Sequence, residues 1–103
     1  MPAGRLVVRI RYHGLTTADE VGLFTRLVRG KRYLYSQAEA QYARRIVPCF
    51  DEPRHKVPWT VSVTAPGGAQ VLGNAAAEQD RALPDGRHLV SLAPTAPMPS
   101  YNL

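Results

Sequence analysis

Three histidines, one cysteine and a short run of mixed charges are the residues that could do chemistry in this chain, and their spacing decides how much. Hydrolysis on a metal needs two histidines one helical turn apart, a glutamate base beside the first, and a further acidic ligand. His13, His55 and His88 stand singly in or near turns, none with a partner four residues on. They read as exposed turn or strand residues, so no metal site is expected. Cys49 has no second cysteine to bond, and beside Phe50 it reads as a small buried hydrophobe rather than a nucleophile. No catalytic residue is assigned, and the chain alone is expected to be inactive.

Unlike groups concentrate instead between Ser36 and Pro53. At the centre, Pro48 and Pro53 enclose Cys49, Phe50, Asp51 and Glu52, with Arg44 and Arg45 just upstream. Each proline fixes φ near −65° and steers the residue before it, Val47 or Glu52, away from helix. The segment therefore reads as a rigid turn, and Arg44 or Arg45 can fold back onto Asp51 or Glu52, a planar fork meeting a carboxylate. On spacing alone, Gln37 and Glu39 are a solvated pair on the loop that enters this corner.

The elements that must position the corner are mostly strands. Leu6, Val8, Ile10 and Tyr12 alternate with Arg5, Val7, Arg9 and Arg11, the period of two that predicts a half-buried strand over Arg5 to Tyr12. His13-Gly14 stops it, and Leu15 to Glu20 reads as a loop. Leu23 to Val28 and Lys31 to Ser36 flank Arg29-Gly30 as a hairpin. Ala38 to Arg45 holds the helix formers, but it is too short to stand alone and is expected as one or two turns. Val57, Trp59, Val61 and Val63 alternate with polar residues and Pro58, giving a strand with Trp59 buried and Pro58 at an edge or at its start. Ala69 to Asn74 reads as a short strand, and Ala75 to Ala82 and Arg87 to Ala93 flank the Asp85-Gly86 turn. Ser100 to Leu103 restarts a β-like run. The expected fold is all-β, with antiparallel sheets in a sandwich or saddle-like arrangement and one short helical turn near Ala38–Arg45.

With 103 residues the chain allows one β domain, 1–103, with a single modest core. Hydrophobic residues are 45% and charged residues 20%, which argues against disorder. Thirteen Lys and Arg against eight Asp and Glu give +5, enough to raise an acidic partner. Those cations are scattered along alternating strands, however, and no nucleic-acid recognition motif accompanies them, so nucleic-acid binding is not expected. No apolar run approaches the ~18 residues of a membrane span, and the N-terminus lacks the apolar stretch of a signal peptide. The expectation is a chain with no membrane partner and a cytoplasmic location.

The run from Ser36 to Pro53 resembles the signature of the N-terminal domain of zinc aminopeptidases of the aminopeptidase N family, close to Thr-Gln-x-Glu-Pro-x-Asp-Ala-Arg-Arg-x-x-Pro-Cys-Phe-Asp-Glu-Pro. Gln37, Glu39, Ala43, Arg44, Arg45, Pro48, Cys49, Phe50, Asp51, Glu52 and Pro53 fall in register without a gap. Ser36, Ala40 and Tyr42 replace the usual Thr, Pro and Asp, and the last exchange removes an acidic partner for one arginine. Likeness extends to Gly22-Leu23-Phe24, to Tyr33–Gln37, to Gly73-Asn74 and to Met98–Leu103, so it covers nearly the whole chain.

The resemblance implies a role that composition does not. In such enzymes the Gln and Glu of this signature reach over the catalytic cleft, the Glu holding the substrate's free amino group and the Gln lining the first side-chain pocket. Gln37 and Glu39 match those positions and are the candidate substrate-binding residues, with Arg44, Arg45, Pro48, Cys49, Phe50, Asp51, Glu52 and Pro53 as structural signature. The implied partners are the catalytic domain of the same enzyme and a peptide N-terminus. Zinc belongs to the parent enzyme, whose His-Glu-x-x-His and Gly-x-Met-Glu-Asn motifs are not found here. The alternative is a free-standing β-sheet module that binds protein or peptide with no catalytic parent, and a zinc-binding helix encoded beyond Leu103 would discriminate the two. The matching region is the later part of a larger β domain in the resembling enzymes. A homodimer joined through sheet edges or faces, above all at Arg5 to Tyr12, is therefore also expected.

Overall fold

Turn chemistry sets the framework. In the computed structural model, which describes residues 3–103, strands β1 (Gly22–Val28) and β2 (Lys31–Gln37) pair antiparallel from Val28↔Lys31 to Gly22↔Gln37. Arg29 and Gly30 form the two-residue turn with φ of 50° and 78°, the left-handed pair that matches strand twist. A second sheet runs β3 (Ser62–Pro66), β5 (Arg87–Leu92), β4 (Ala77–Ala82), with β5 central and antiparallel to both neighbours. Gly86, at φ 84°, closes the β4–β5 loop, where Asp85 accepts from the Arg87 backbone N–H at 3.1 Å. The chain is all-β and antiparallel, and its helical content among the described residues is two 3-10 turns, Ala43–Arg45 and Ser100–Asn102.

Several expected strands are shorter or missing, for identifiable reasons. Arg5 to Tyr12 pairs with nothing among the described residues, and Leu6, Val8 and Ile10 lie exposed, Leu6 at 83%. Period two sets faces but supplies no partner strand. The Val57 stretch is regular only from Ser62. Before that, Pro58 on one side and Pro94 and Pro97 on the other remove ladder donors, leaving isolated bonds such as Met98 N–H to Val57 O at 3.0 Å. Trp59 is half-buried rather than enclosed, its indole N–H donating to Met98 O at 3.3 Å. Ala69 to Asn74 forms no strand; Gly73 lies flat against Leu92, where a Cβ would collide. Ser100 to Leu103 coils into a 3-10 turn that brings the Ser100 hydroxyl to Asp51.

The core is small. Ala38, Ala43, Ala65, Val90 and Leu92 are its buried apolar residues, joined by buried Asp51 and Ser100. A compact chain of this length would leave about 5,700 Å² accessible. Here 8590 Å² is accessible. The radius of gyration, 15.3 Å, likewise exceeds the roughly 13 Å of a compact domain of this size. Large apolar residues lie exposed on the β1–β2 hairpin, Leu27, Leu34, Tyr33 and Tyr35, and in the 3–12 segment, Leu6, Val8 and Ile10. No helix among the described residues is long and apolar enough to cross a membrane.

Candidate functional site

Asp51 organises the site. Its carboxylate is buried and collects three donors: the Ser100 hydroxyl at 2.6 Å on Oδ1, and the Arg44 backbone N–H at 3.1 Å and Nε at 3.2 Å on Oδ2. Burial alone would raise its pKa, but the Ser100 hydroxyl, the Arg44 N–H and the Arg44 guanidinium outweigh it and hold the carboxyl below the ordinary range. Of the pairings open to the two arginines, the corner uses Arg44 with Asp51. Arg45 goes elsewhere: it pairs with Asp19 at 3.0 Å and lies over the Tyr42 ring, 5.1 Å from its centroid. Tyr42 and Asp19 thus stand in for the acidic residue missing at position 42. Glu52 takes Arg54 at 2.7 Å, with His55 at 3.8 Å.

The corner is tied to β1 from the other side. Thr17 donates its hydroxyl to Val21 O at 2.5 Å, and its backbone N–H to Leu23 O at 2.8 Å. Gly22, at φ 73°, backs onto Arg45, and a Cβ there would come within 2.9 Å of the Arg45 Cβ. Tyr12 donates to Ile46 O at 2.9 Å and pins the end of the N-terminal segment.

Gln37 and Glu39 sit where β2 enters this corner, with Ala38 between them only 1% exposed. Ala38 O accepts from Tyr42 N–H at 2.9 Å, so a pinned residue holds two exposed polar neighbours. The Gln37 side-chain Oε1 accepts the Glu39 backbone N–H at 2.9 Å. The Glu39–Ala40 peptide bond is cis. Among the described residues, no hydrogen bond or ion pair uses the Glu39 carboxylate, although the chain is rich in cations. An exposed carboxylate beside an amide, on a backbone held at Ala38, can hold an ammonium group.

The family model for the peptidase M1 N-terminal domain matches residues 2–102. The chain belongs to that family. Among curated relatives, this M1 N-terminal domain is 32% identical to the probable aminopeptidase 1 of Saccharolobus solfataricus, over 93% of the chain and 12% of that protein. It is 42% identical to leucine aminopeptidase 2 of Eremothecium gossypii, over 72% of the chain and 11% of that protein. Aminopeptidase N of Haemonchus contortus shares 51% identity over 38% of the chain and 4% of its own length. The M1 N-terminal domain described here thus spans about an eighth of the length of the first of these relatives.

Of the signature residues, Arg44 and Asp51 come together directly, while Arg45 pairs with Asp19 and Glu52 with Arg54. Phe50 is 85% exposed, and with half-buried Cys49 it edges an open cleft of about 210 Å³ also lined by His55, Val57 and Trp59. Burial, then the Asp51 charge, pushes the Cys49 thiol up, opposed by Arg44, so it is a poor nucleophile. The histidines are dispersed: His55 lies by Glu52, and His88 Nδ1 lies 2.6 Å from Asp80 Oδ1. No group of three metal-ligating side chains exists among the described residues, so the family's zinc finds no donor set in them. Sequence reasoning missed Ser100, Asp19, Thr17 and Tyr12. Ser100, Asp19 and Tyr12 act across long loops, Ser100 at 49 positions from Asp51, where local spacing carries no signal, whereas Thr17 acts locally on Val21 and Leu23.

Proposed function

We propose that this chain is the N-terminal β domain of a zinc aminopeptidase, that it scaffolds the catalytic domain of the same enzyme, and that Glu39 and Gln37 recognise the free N-terminus of the peptide substrate. The observation that carries the reading is the Glu39 carboxylate, exposed and without an ion-pair or hydrogen-bond partner among the described residues of a +5 chain, while its neighbour Ala38 is buried. A carboxylate fixed on a rigid turn pairs well with a substrate ammonium and selects for an unblocked terminus. Gln37, with its carbonyl engaged by the turn, offers its amide NH₂ to the first side-chain pocket. Zinc and the general base belong to the catalytic domain, and the chain alone turns over nothing.

Glu39→Gln in the full-length enzyme is the test. It keeps the shape and removes the charge, so kcat/KM on aminoacyl substrates should fall by ~10-fold or more, each factor of ten being about 1.4 kcal/mol. An unchanged kcat/KM would return Glu39 to the solvated surface. For the isolated chain, metal analysis and an aminoacyl-anilide assay should show no tight zinc and no turnover. Chelator-sensitive turnover that survives repurification would overturn the assignment.

A further inference from the structure

Glu39 is exposed, so what holds its backbone decides where its carboxylate stands. Tyr42 closes the turn that carries it: the Tyr42 N–H donates to Ala38 O at 2.9 Å, and Tyr42 O accepts from the Arg45 N–H at 3.0 Å. The half-buried Tyr42 ring lies under the Arg45 guanidinium, 5.1 Å from ring centroid to Cζ, and the same guanidinium pairs with Asp19 at 3.0 Å. The Arg45 stem runs beside Gly22, which is opposite Gln37 in the hairpin. Arg45 therefore braces the recognition segment at both ends, through Gly22 across from Gln37 and through Tyr42 beyond Glu39. This brace is separate from the Asp51 network, to which neither Tyr42 nor Asp19 contributes a hydrogen bond or ion pair among the described residues.

We infer that Tyr42 and Asp19 are positioning residues for substrate recognition: by holding Arg45 they fix the turn that presents Glu39 and keep its carboxylate open to the substrate ammonium. The inference rests on the proposed role of Glu39 toward that ammonium. Two features of the geometry carry it. An arginine is a long side chain with many rotamers, but with its tip on Asp19 and its plane over the Tyr42 ring Arg45 has one arrangement, and the backbone of that same Tyr42 closes the turn of Glu39. The brace also occupies a competitor. Arg44 and Arg45 follow Glu39 at five and six positions, and Asp51 and Asp19 engage them both. A guanidinium released so near would be a rival partner for the Glu39 carboxylate, which an incoming ammonium would then have to displace. The Tyr42 hydroxyl makes no hydrogen bond among the described residues, so the ring is what this side chain supplies.

The test is a double-mutant cycle in the full-length enzyme, with kcat and KM measured on an aminoacyl anilide for Tyr42→Ala, Tyr42→Phe and Asp19→Ala, each with Glu39 present and in the Glu39→Gln background. Tyr42→Ala should lower kcat/KM by ~3-fold or more, mainly through KM, because the ammonium carries its charge in the ground and transition states alike. In the Glu39→Gln background the same change should cost less than ~1.5-fold, since a charge that is absent cannot be misplaced. Tyr42→Phe keeps the ring and should rescue kcat/KM. If Tyr42→Ala does not fold, Asp19→Ala, at an exposed side chain, carries the same cycle with the same expected loss and the same dependence on Glu39. Equal losses in both backgrounds, a Tyr42→Phe enzyme as impaired as Tyr42→Ala, or an unchanged kcat/KM for both Tyr42→Ala and Asp19→Ala would each overturn the inference and leave recognition by Glu39 standing. An unchanged kcat/KM for Glu39→Gln alone would discard the recognition reading itself, and the positioning role with it.

Discussion

The corner around Asp51 and the β1–β2 hairpin are joined at Gln37, yet they are built on opposite principles. In the corner, a buried charge has its donors supplied by Arg44, seven residues away, and by Ser100 from a distant part of the same chain. The hairpin has its backbone paired within itself and its rings stacked on one another, but its faces are left open, Leu27 being 72% exposed. A polar network is complete only when every partner is present. An apolar face is complete only when something lies on it. The comparison separates what this chain supplies from what it awaits: a rigid mount for Glu39 on one side, an uncovered surface on the other.

The largest effect should come from breaking the mount. Asp51→Ala removes the acceptor of Ser100 and of Arg44 together, and should cost about 2–3 kcal/mol in denaturant unfolding, because hydrogen bonds to a buried charge are worth more than neutral ones. The same network sets an acid limit. Its carboxyl pKa is depressed in the folded chain, so its contribution is fully present above the unfolded carboxylate value of about 3.9 and fades as pH falls through the lower folded value. Asp51→Ala should therefore flatten the acid side of the stability profile. A loss below ~0.5 kcal/mol, within the usual range for surface changes, with an unaltered profile would make the corner ornamental.

How much of this was legible beforehand follows the same division. Pro48 and Pro53 announced the corner, and the choice of Arg44 or Arg45 against Asp51 or Glu52 was correctly bounded but left open, because ion-pair partners depend on where Asp19 and Tyr42 arrive in space. Both hairpins were legible from Arg29-Gly30 and Asp85-Gly86, since turn chemistry is local. Ser100 was read as strand, and only the folded chain brings its hydroxyl to Asp51. Arg5 to Tyr12 was read as a half-buried strand, but it forms none and lies exposed, because alternation reports a face and not a neighbour. Gln37 and Glu39 became candidates through family likeness alone, as a Gln and a Glu two residues apart carry no chemical signature.

A smaller effect tests the uncovered side. If the exposed 3–12 segment and the hairpin await cover, the isolated chain should self-associate as its concentration rises, through the unpaired edge at Leu6 to Ile10. Val8→Lys with Ile10→Lys should shift the association constant down by ~10-fold or more, about 1.4 kcal/mol, in sedimentation equilibrium across a dilution series, by placing charge where apolar contact would form. A chain that stays monomeric throughout, with the amides of this segment slow to exchange, would mean that the fragment covers its own edge.

The smallest effect asks whether the hairpin's weakness lies in its turn or in its faces. Arg29 holds φ 50°, a conformation that costs an ordinary L-residue about 1 kcal/mol and that asparagine tolerates better. Asn-Gly is the favoured pair for this two-residue turn. Arg29→Asn should therefore stabilise the isolated chain by about 0.5 kcal/mol in denaturant unfolding, and should slow exchange of the β1 and β2 amides more than those of β4 and β5. If the turn is instead neutral and the exposed faces alone limit the hairpin, Arg29→Asn will change neither quantity, and only contact with a covering surface will slow exchange in β1 and β2. That outcome would assign all of the hairpin's marginality to its missing cover, whereas a gain localised to β1 and β2 would show that part of it is written into position 29.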